Sequence, residues 1–346
     1  MAAATLVISA IYIFLLRWIV KPLLYVSMLL ILICLILLGG WSWMQKDKYD
    51  PVAEEENYMY AQIGAYVAWA VAAIYLCFMC CCWSNISLGA SIMEAASDFV
   101  ASNLRIILLP VLAYACSIIF FVFWIVVAVH LYSIGEVEFE RNSFIANIKW
   151  SEEHWYIMWY FLFCLFWVVA FIICTQQFMI AAMACMWYFS GQGAEMSDQP
   201  GDVSLFKAMG WALWYHLGSI AFGSFLIALI TFIRVVFEYI VKQYESVGNK
   251  ENVVYKAVTC CVRCVLYLLD KYVKFITKNA YIQIALHSTH FCDAAWKSFY
   301  LIIRHAGRFG SAAIIGWIMM LLGKGTIMAA SAYITILYVK YAYPMV

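Results

Sequence analysis

Charge is what this 346-residue sequence has least of: Asp, Glu, Lys and Arg together supply 12% of it, against 67% hydrophobic residues. Water-soluble domains carry about 25% charged residues, so a soluble globular fold is excluded. An excess of either sign is also missing. The net charge of +1 offers no basic field for nucleic acid, which is not expected as a partner. Strand-like alternation is absent, and with it the pattern of a membrane barrel. There is no histidine box, nucleophile elbow or phosphate-binding loop, so no catalytic residue and no cofactor is expected, and the chain reads as a non-enzyme. Met1 opens directly on AAATLVISAIYIF without the basic n-region of a signal peptide. No Asp or Glu falls convincingly at the centre of an apolar run, which leaves aromatic faces and amide oxygens as the available polar ligands.

Long apolar runs are what is there, and in lipid only helices and closed barrels satisfy their own backbone. The expectation is an all-α polytopic membrane protein: one transmembrane domain over residues 1–346, a helical bundle with amphipathic surface helices, set in a lipid bilayer. Thirteen cysteines do not change this. Most lie inside apolar runs and act as small hydrophobes. The cluster CFMCCCW at Cys77 to Trp83 suits packing or juxtamembrane acylation better than zinc.

Taken in order, the runs are Ala2 to Leu16, Leu23 to Trp43, Tyr60 to Cys82, Ile106 to Leu131, Tyr156 to Phe189, Trp211 to Phe232 and Ser311 to Tyr343. The first should stop at Arg17 and Lys21-Pro22, a basic turn favouring the cytoplasmic side. Tyr156 to Phe189 exceeds the roughly 20 residues a bilayer needs, so it should tilt or project. The last run holds either one span or a span broken between Gly323 and Gly325. Residues 85–104 place Ile86, Ala90, Met93, Ala96, Phe99 and Val100 on one face, as an interfacial helix does. Residues 254–278 set Lys256, Arg263, Asp270, Lys271, Lys274 and Lys278 against an apolar face, which reads as an amphipathic surface helix. The connections Gln45 to Asn57 and Ser133 to Glu153 are acidic on balance and, two crossings apart, should share one side. Ser190 to Asp202 is a loop by its Gly and Pro content.

The run from Trp211 to Tyr239, WALWYHLGSIAFGSFLIALITFIRVVFEY, is the organising one. On a single helix Trp211, Trp214, Tyr215, Gly218 and Phe222 would share a side, beside the small-residue step Ser219 and Gly223. Arg234 and Glu238, one turn apart, should pair where the helix leaves lipid. Gln176 and Gln177 lie deep in the preceding run, where an amide needs a partner or water. His287, His290, Cys292 and Asp293 resemble a metal set, since histidines at i and i+3 share a helix face, but packing is the plainer account and no metal is expected.

The segment HLGSIAFGSFLIALITFIRVVFEY (216–239) resembles the most characteristic stretch of the choline transporter-like family. TQQFMIAAMACMWYF (175–189), IMEAASDFVASNLRIILLPVL (92–112), TKNAYIQIALHSTHFCDAAWKSF (277–299) and LLGKGTI (321–327) resemble other pieces of it, in the same order. Members of that family begin with a cytoplasmic tail, a first helix and a large extracellular domain, and continue into a further span. This sequence is similar to their central membrane core. The resemblance implies a solute carrier for choline or a related quaternary ammonium or ethanolamine-type cation, in the plasma membrane or else an organelle membrane. A methylated ammonium donates no hydrogen bond and is held through aromatic faces, each such contact worth about 2 kcal/mol when desolvated. The residues chosen for that role are Trp211, Trp214, Tyr215, Gln176 and Gln177. The alternative is a structural or accessory subunit of a membrane complex, which would imply partner subunits.

Overall fold

The computed structural model describes residues 2–47, 49, 55–139, 146–190, 203–246 and 253–342. Residues 191–202, expected as a loop, lie outside these, as do parts of the two acidic connections. The protein is a helical membrane protein. Among the described residues, six helical segments are long and apolar enough to cross a bilayer: Lys21–Lys46, Glu56–Cys81, Leu104–Tyr132, Glu152–Ser190, Leu217–Glu245 and Ala306–Lys340. The chain gathers into two compact units, residues 1–102 with 304–346, and residues 103–303.

The first unit holds α1 (Ala2–Lys46), α2 (Glu55–Cys81), α3 (Trp83–Ser102) and α10 (Ala306–Ala342). The turn expected at Arg17 to Pro22 does not form, and α1 continues through Pro22. A proline costs the helix one N–H and crowds the carbonyl a turn earlier, which neighbouring helices can offset in a bundle. Here Lys21, read as a turn residue, reaches α3 instead, with Nζ 2.6 Å from Glu94 Oε2. Leu24, Met28, Ile86, Ala90, Ile315 and Met319 form the buried core between α1, α3 and α10. Ile86, Ala90 and Phe99 of the expected apolar face are buried, whereas Ala96 is exposed. Gly39 faces the Trp69 indole so closely that a Cβ would strike it. The 37-residue α10 runs unbroken through Gly323 and Gly325.

The second unit begins with a 3₁₀ turn, Leu104–Ile107, that leads into α4 (Leu108–Tyr132). Pro110 sits in the first turn of α4, where its missing N–H has no partner to lose. Two short strands follow where none were expected. β1 (Glu136–Phe139) pairs antiparallel with β2 (Ala146–Lys149) in the register Glu136 with Lys149 and Phe139 with Ala146. The alternation was legible only over four residues on each side, too short to stand out. Next come α5 (Glu152–Ser190), α6 (Leu205–Gly210), a π-helical turn (Trp211–Tyr215), α7 (Leu217–Ser246), α8 (Val253–His287) and α9 (Phe291–Arg304).

The long α5 packs along α7 through interleaved rings: Trp159 with Tyr239 at 5.3 Å, Phe163 with Phe232 at 5.5 Å and Trp167 with Phe225 at 5.7 Å between centroids. Edge-to-face contacts of this kind add about 0.5–1.5 kcal/mol each beyond burial. The ring spacing on α7 follows one helical face, which is why two tilted helices stay in register. The amphipathic α8 is not among the six segments able to span. It packs on both α5 and α7.

Candidate functional site

The helices α5, α7 and α8 meet where α7 carries glycine. A Cβ at Gly223 would run into the Tyr281 hydroxyl, the Phe291 ring and Thr277 Cγ2, so glycine is what admits α8 and α9 to the α7 backbone. Gly218 has nothing within 4 Å of such a Cβ; of the small residues on α7, Gly223 makes the close approach. Tyr281 is fully buried, and its hydroxyl donates to the Ile220 carbonyl at 3.1 Å. Burial pushes its ionisation above the ordinary tyrosine range, so it stays a donor.

Charged groups fasten the far end of the same interface. Glu238 was expected to pair with Arg234, but the structure gives it to Arg263 of α8, at 2.8 Å from Nε and 2.9 Å from Nη2. Arg234 instead lies 3.9 Å from Asp270, which is buried and also accepts from Lys274 Nζ at 2.8 Å. The correction has a simple cause. A neighbouring helix presents a planar guanidinium fork that matches both carboxylate oxygens, which an i to i+4 partner on one helix cannot do as well.

Two cavities flank Gln177 of α5. One of about 590 Å³ is lined by residues that include Phe121, Phe166, Phe275, Gln177, Lys274 and Lys278. The other, about 670 Å³, shares Gln177 and Lys278 and extends past Cys185 to Tyr188 and Ile282. Volumes of this order hold small organic ligands. An amide offers both a donor and an acceptor, and the three phenyl groups offer ring faces, so the first cavity has the parts needed to hold a methylated ammonium and its hydroxyl. Lys274 is paired with Asp270, a carboxylate it shares with Arg234.

A sequence profile described as "Plasma-membrane choline transporter" matches residues 66–346. The chain belongs to that family. It is 25% identical over 340 residues to choline transporter-like protein 2 of Dictyostelium discoideum, covering 95% of this chain and 53% of that protein. Choline transporter-like protein 1 of Caenorhabditis elegans is 27% identical over 359 residues, covering 93% and 45%. Choline transporter-like protein 2 of Bos taurus is 34% identical over 166 residues, covering 47% and 22%. The chain spans about half the length of the first of these curated relatives.

Within this choline transporter-family chain, the five residues chosen from sequence are not gathered into one cavity. Gln177 lines both cavities; Gln176 is half-buried and lines neither. Trp214 and Tyr215 are 85% and 77% exposed, and Trp211 is 36% exposed. These three aromatics lie in the π-helical turn, where the His216 N–H donates to the Trp211 carbonyl at 3.0 Å, five residues back, and α7 starts afresh at Leu217. That turn interrupts the single helix on which they would have continued the face of Gly218 and Phe222, a face that is itself exposed. The rings that do line the cavity, Phe121, Phe166 and Phe275, carry no sequence signal among 23 phenylalanines; they come from three different helices. The metal-like set also separates. α8 ends at His287, Ser288 takes a positive φ of 52°, and α9 begins at Phe291, so His287 and His290 do not share a helix face.

Proposed function

We propose that this chain carries the transport path for choline or a related quaternary ammonium or ethanolamine-type cation, working in the plasma membrane. The observation that carries the reading is the family match over residues 66–346. The cavity beside Gln177 supports it chemically: Phe121, Phe166 and Phe275 supply ring faces and the Gln177 amide oxygen accepts from the substrate hydroxyl. Lys278, which lines both cavities, opposes a cation and limits how tightly one is held, which suits a site that must release its cargo.

Radiolabelled choline uptake into proteoliposomes holding the chain tests this. Uptake saturates in the wild type, and Gln177→Leu raises KM about 2- to 10-fold through loss of one hydrogen-bond acceptor. Uptake no greater than in empty liposomes rejects transport by this chain and favours an accessory subunit. Saturable uptake with an unchanged KM in Gln177→Leu moves the substrate away from this cavity.

A further inference from the structure

We propose that Tyr132, Trp150 and Trp155 form a second binding site, an aromatic cage for a small quaternary ammonium group, distinct from the cavities beside Gln177. Tyr132 is the last residue of α4, Trp150 follows β2, and Trp155 lies in the first turn of α5. The β1–β2 hairpin is what joins them. Its antiparallel pairing brings the chain back on itself, so that two aromatics 18 residues apart in sequence touch, with ring centroids 4.5 Å apart at 62°. Trp150 and Trp155 follow at 5.9 Å and 83°. The Trp150 indole N–H donates to the Tyr132 carbonyl at 3.4 Å, which orients the ring.

These rings line a half-open pocket of about 120 Å³ together with Leu131, His154 and Met158, and none of its residues belongs to either cavity beside Gln177. His154 Nδ1 lies 2.7 Å from Ser151 Oγ, which fixes the imidazole. Three features choose the ligand. Rings set at steep angles surround a point from different directions, where a stacked pair would offer it only one free face; cations bind aromatic faces within about 6 Å of the centroid. The volume is well below the roughly 300–1,000 Å³ of a drug-sized pocket, so the ligand is small. Finally, no carboxylate among the described residues lines the cavity, so an ammonium or a metal ion would find none there to replace its hydration, while a nitrogen already covered by methyl groups loses least on entering.

The surroundings supply the attraction that the cavity lacks. Glu152 and Glu153 are exposed within three residues of Trp150. Two exposed carboxylates this near in sequence raise the local concentration of cations and their rate of arrival. The cage therefore acts as a capture site. That role rests on the transport reading above; the binding itself does not.

Equilibrium binding of radiolabelled tetramethylammonium to the purified chain in detergent, run beside choline uptake, separates the two. The wild type binds tetramethylammonium saturably and discriminates against ammonium. Trp150→Ala weakens the cage component at least tenfold, Trp150→Phe retains part of it, and the double substitution Glu152→Gln with Glu153→Gln slows association and flattens its salt dependence. Because Trp150→Ala also removes a packing ring, Trp155→Phe, which keeps an aromatic face, is read with it and weakens binding by a smaller factor. Trp150-dependent binding in a chain that fails to transport keeps the cage and removes the transport reading. Wild-type affinity and stoichiometry in both Trp150→Ala and Trp155→Phe overturn the cage, and return the three rings to the role of interfacial anchors.

Discussion

Glu238 on α7 holds Arg263 on α8 with both carboxylate oxygens, at 2.8 Å and 2.9 Å. The contact ties the amphipathic α8 to a spanning helix, so its two ends are coupled and not additive. Replacing either residue with Ala lowers the thermal midpoint of the detergent-purified protein, and the double replacement lowers it no further than the worse single one. A double-mutant cycle read by thermal unfolding checks this; additive losses mean that the two side chains act independently.

Gly223 sets how closely α8 and α9 approach α7. Gly223→Val drives a side chain into Tyr281, Phe291 and Thr277 and destabilises by about 1–3 kcal/mol, the usual cost of overpacking. Gly218→Ala, with open space around its Cβ, leaves stability unchanged or raises it by up to about 1 kcal/mol through helix propensity. Folded yield on size-exclusion chromatography ranks the two. Equal losses in both mean that the close approach at Gly223 is not what limits packing.

Those outcomes bear on what the sequence could show. Run length and composition were enough for the helices and the long α5, because burial in lipid is a one-dimensional signal. Small-residue spacing on α7 pointed to close packing, and Gly223 supplies it. The exchange of Glu238 from Arg234 to Arg263 was hidden, since a charge's partner on another helix depends on how the helices rotate. The π-helical turn at Trp211–Tyr215 was hidden because one extra residue per turn leaves composition unchanged. Gln177 was legible as a polar residue in an apolar run, whereas the phenyl groups beside it were not.

Lys278 borders both cavities beside Gln177. A like charge at about 8 Å and an effective dielectric constant near 40 opposes a bound cation by about 1 kcal/mol. Lys278→Gln therefore lowers the KM for choline about fivefold, and slows release enough to reduce the maximal rate. Concentration-dependent uptake measures both parameters. A KM that rises in Lys278→Gln would show that this ammonium helps to bind the substrate, as it would an anion.

The choice between the two sets of aromatics is the sharpest test of the substrate site. Trp211, Trp214 and Tyr215 are the stronger cation–π partners by chemistry, yet Trp214 is 85% exposed and a solvated or lipid-facing ring holds a cation weakly. Phe166 is a poorer partner by ring type, but it lines a cavity with Gln177, and desolvation is what raises such a contact from about 0.5–1 kcal/mol to about 2. Environment outweighs ring type on these magnitudes. Phe166→Ala should raise the KM for choline about tenfold or more, with Phe166→Leu no better because it fills the space without a ring, whereas Trp214→Ala leaves KM within about twofold. If Phe166→Leu transports like the wild type while Trp214→Ala loses affinity and Trp214→Phe recovers part of it, the substrate is held by the aromatic group ahead of α7 and the cavity beside Gln177 serves packing alone.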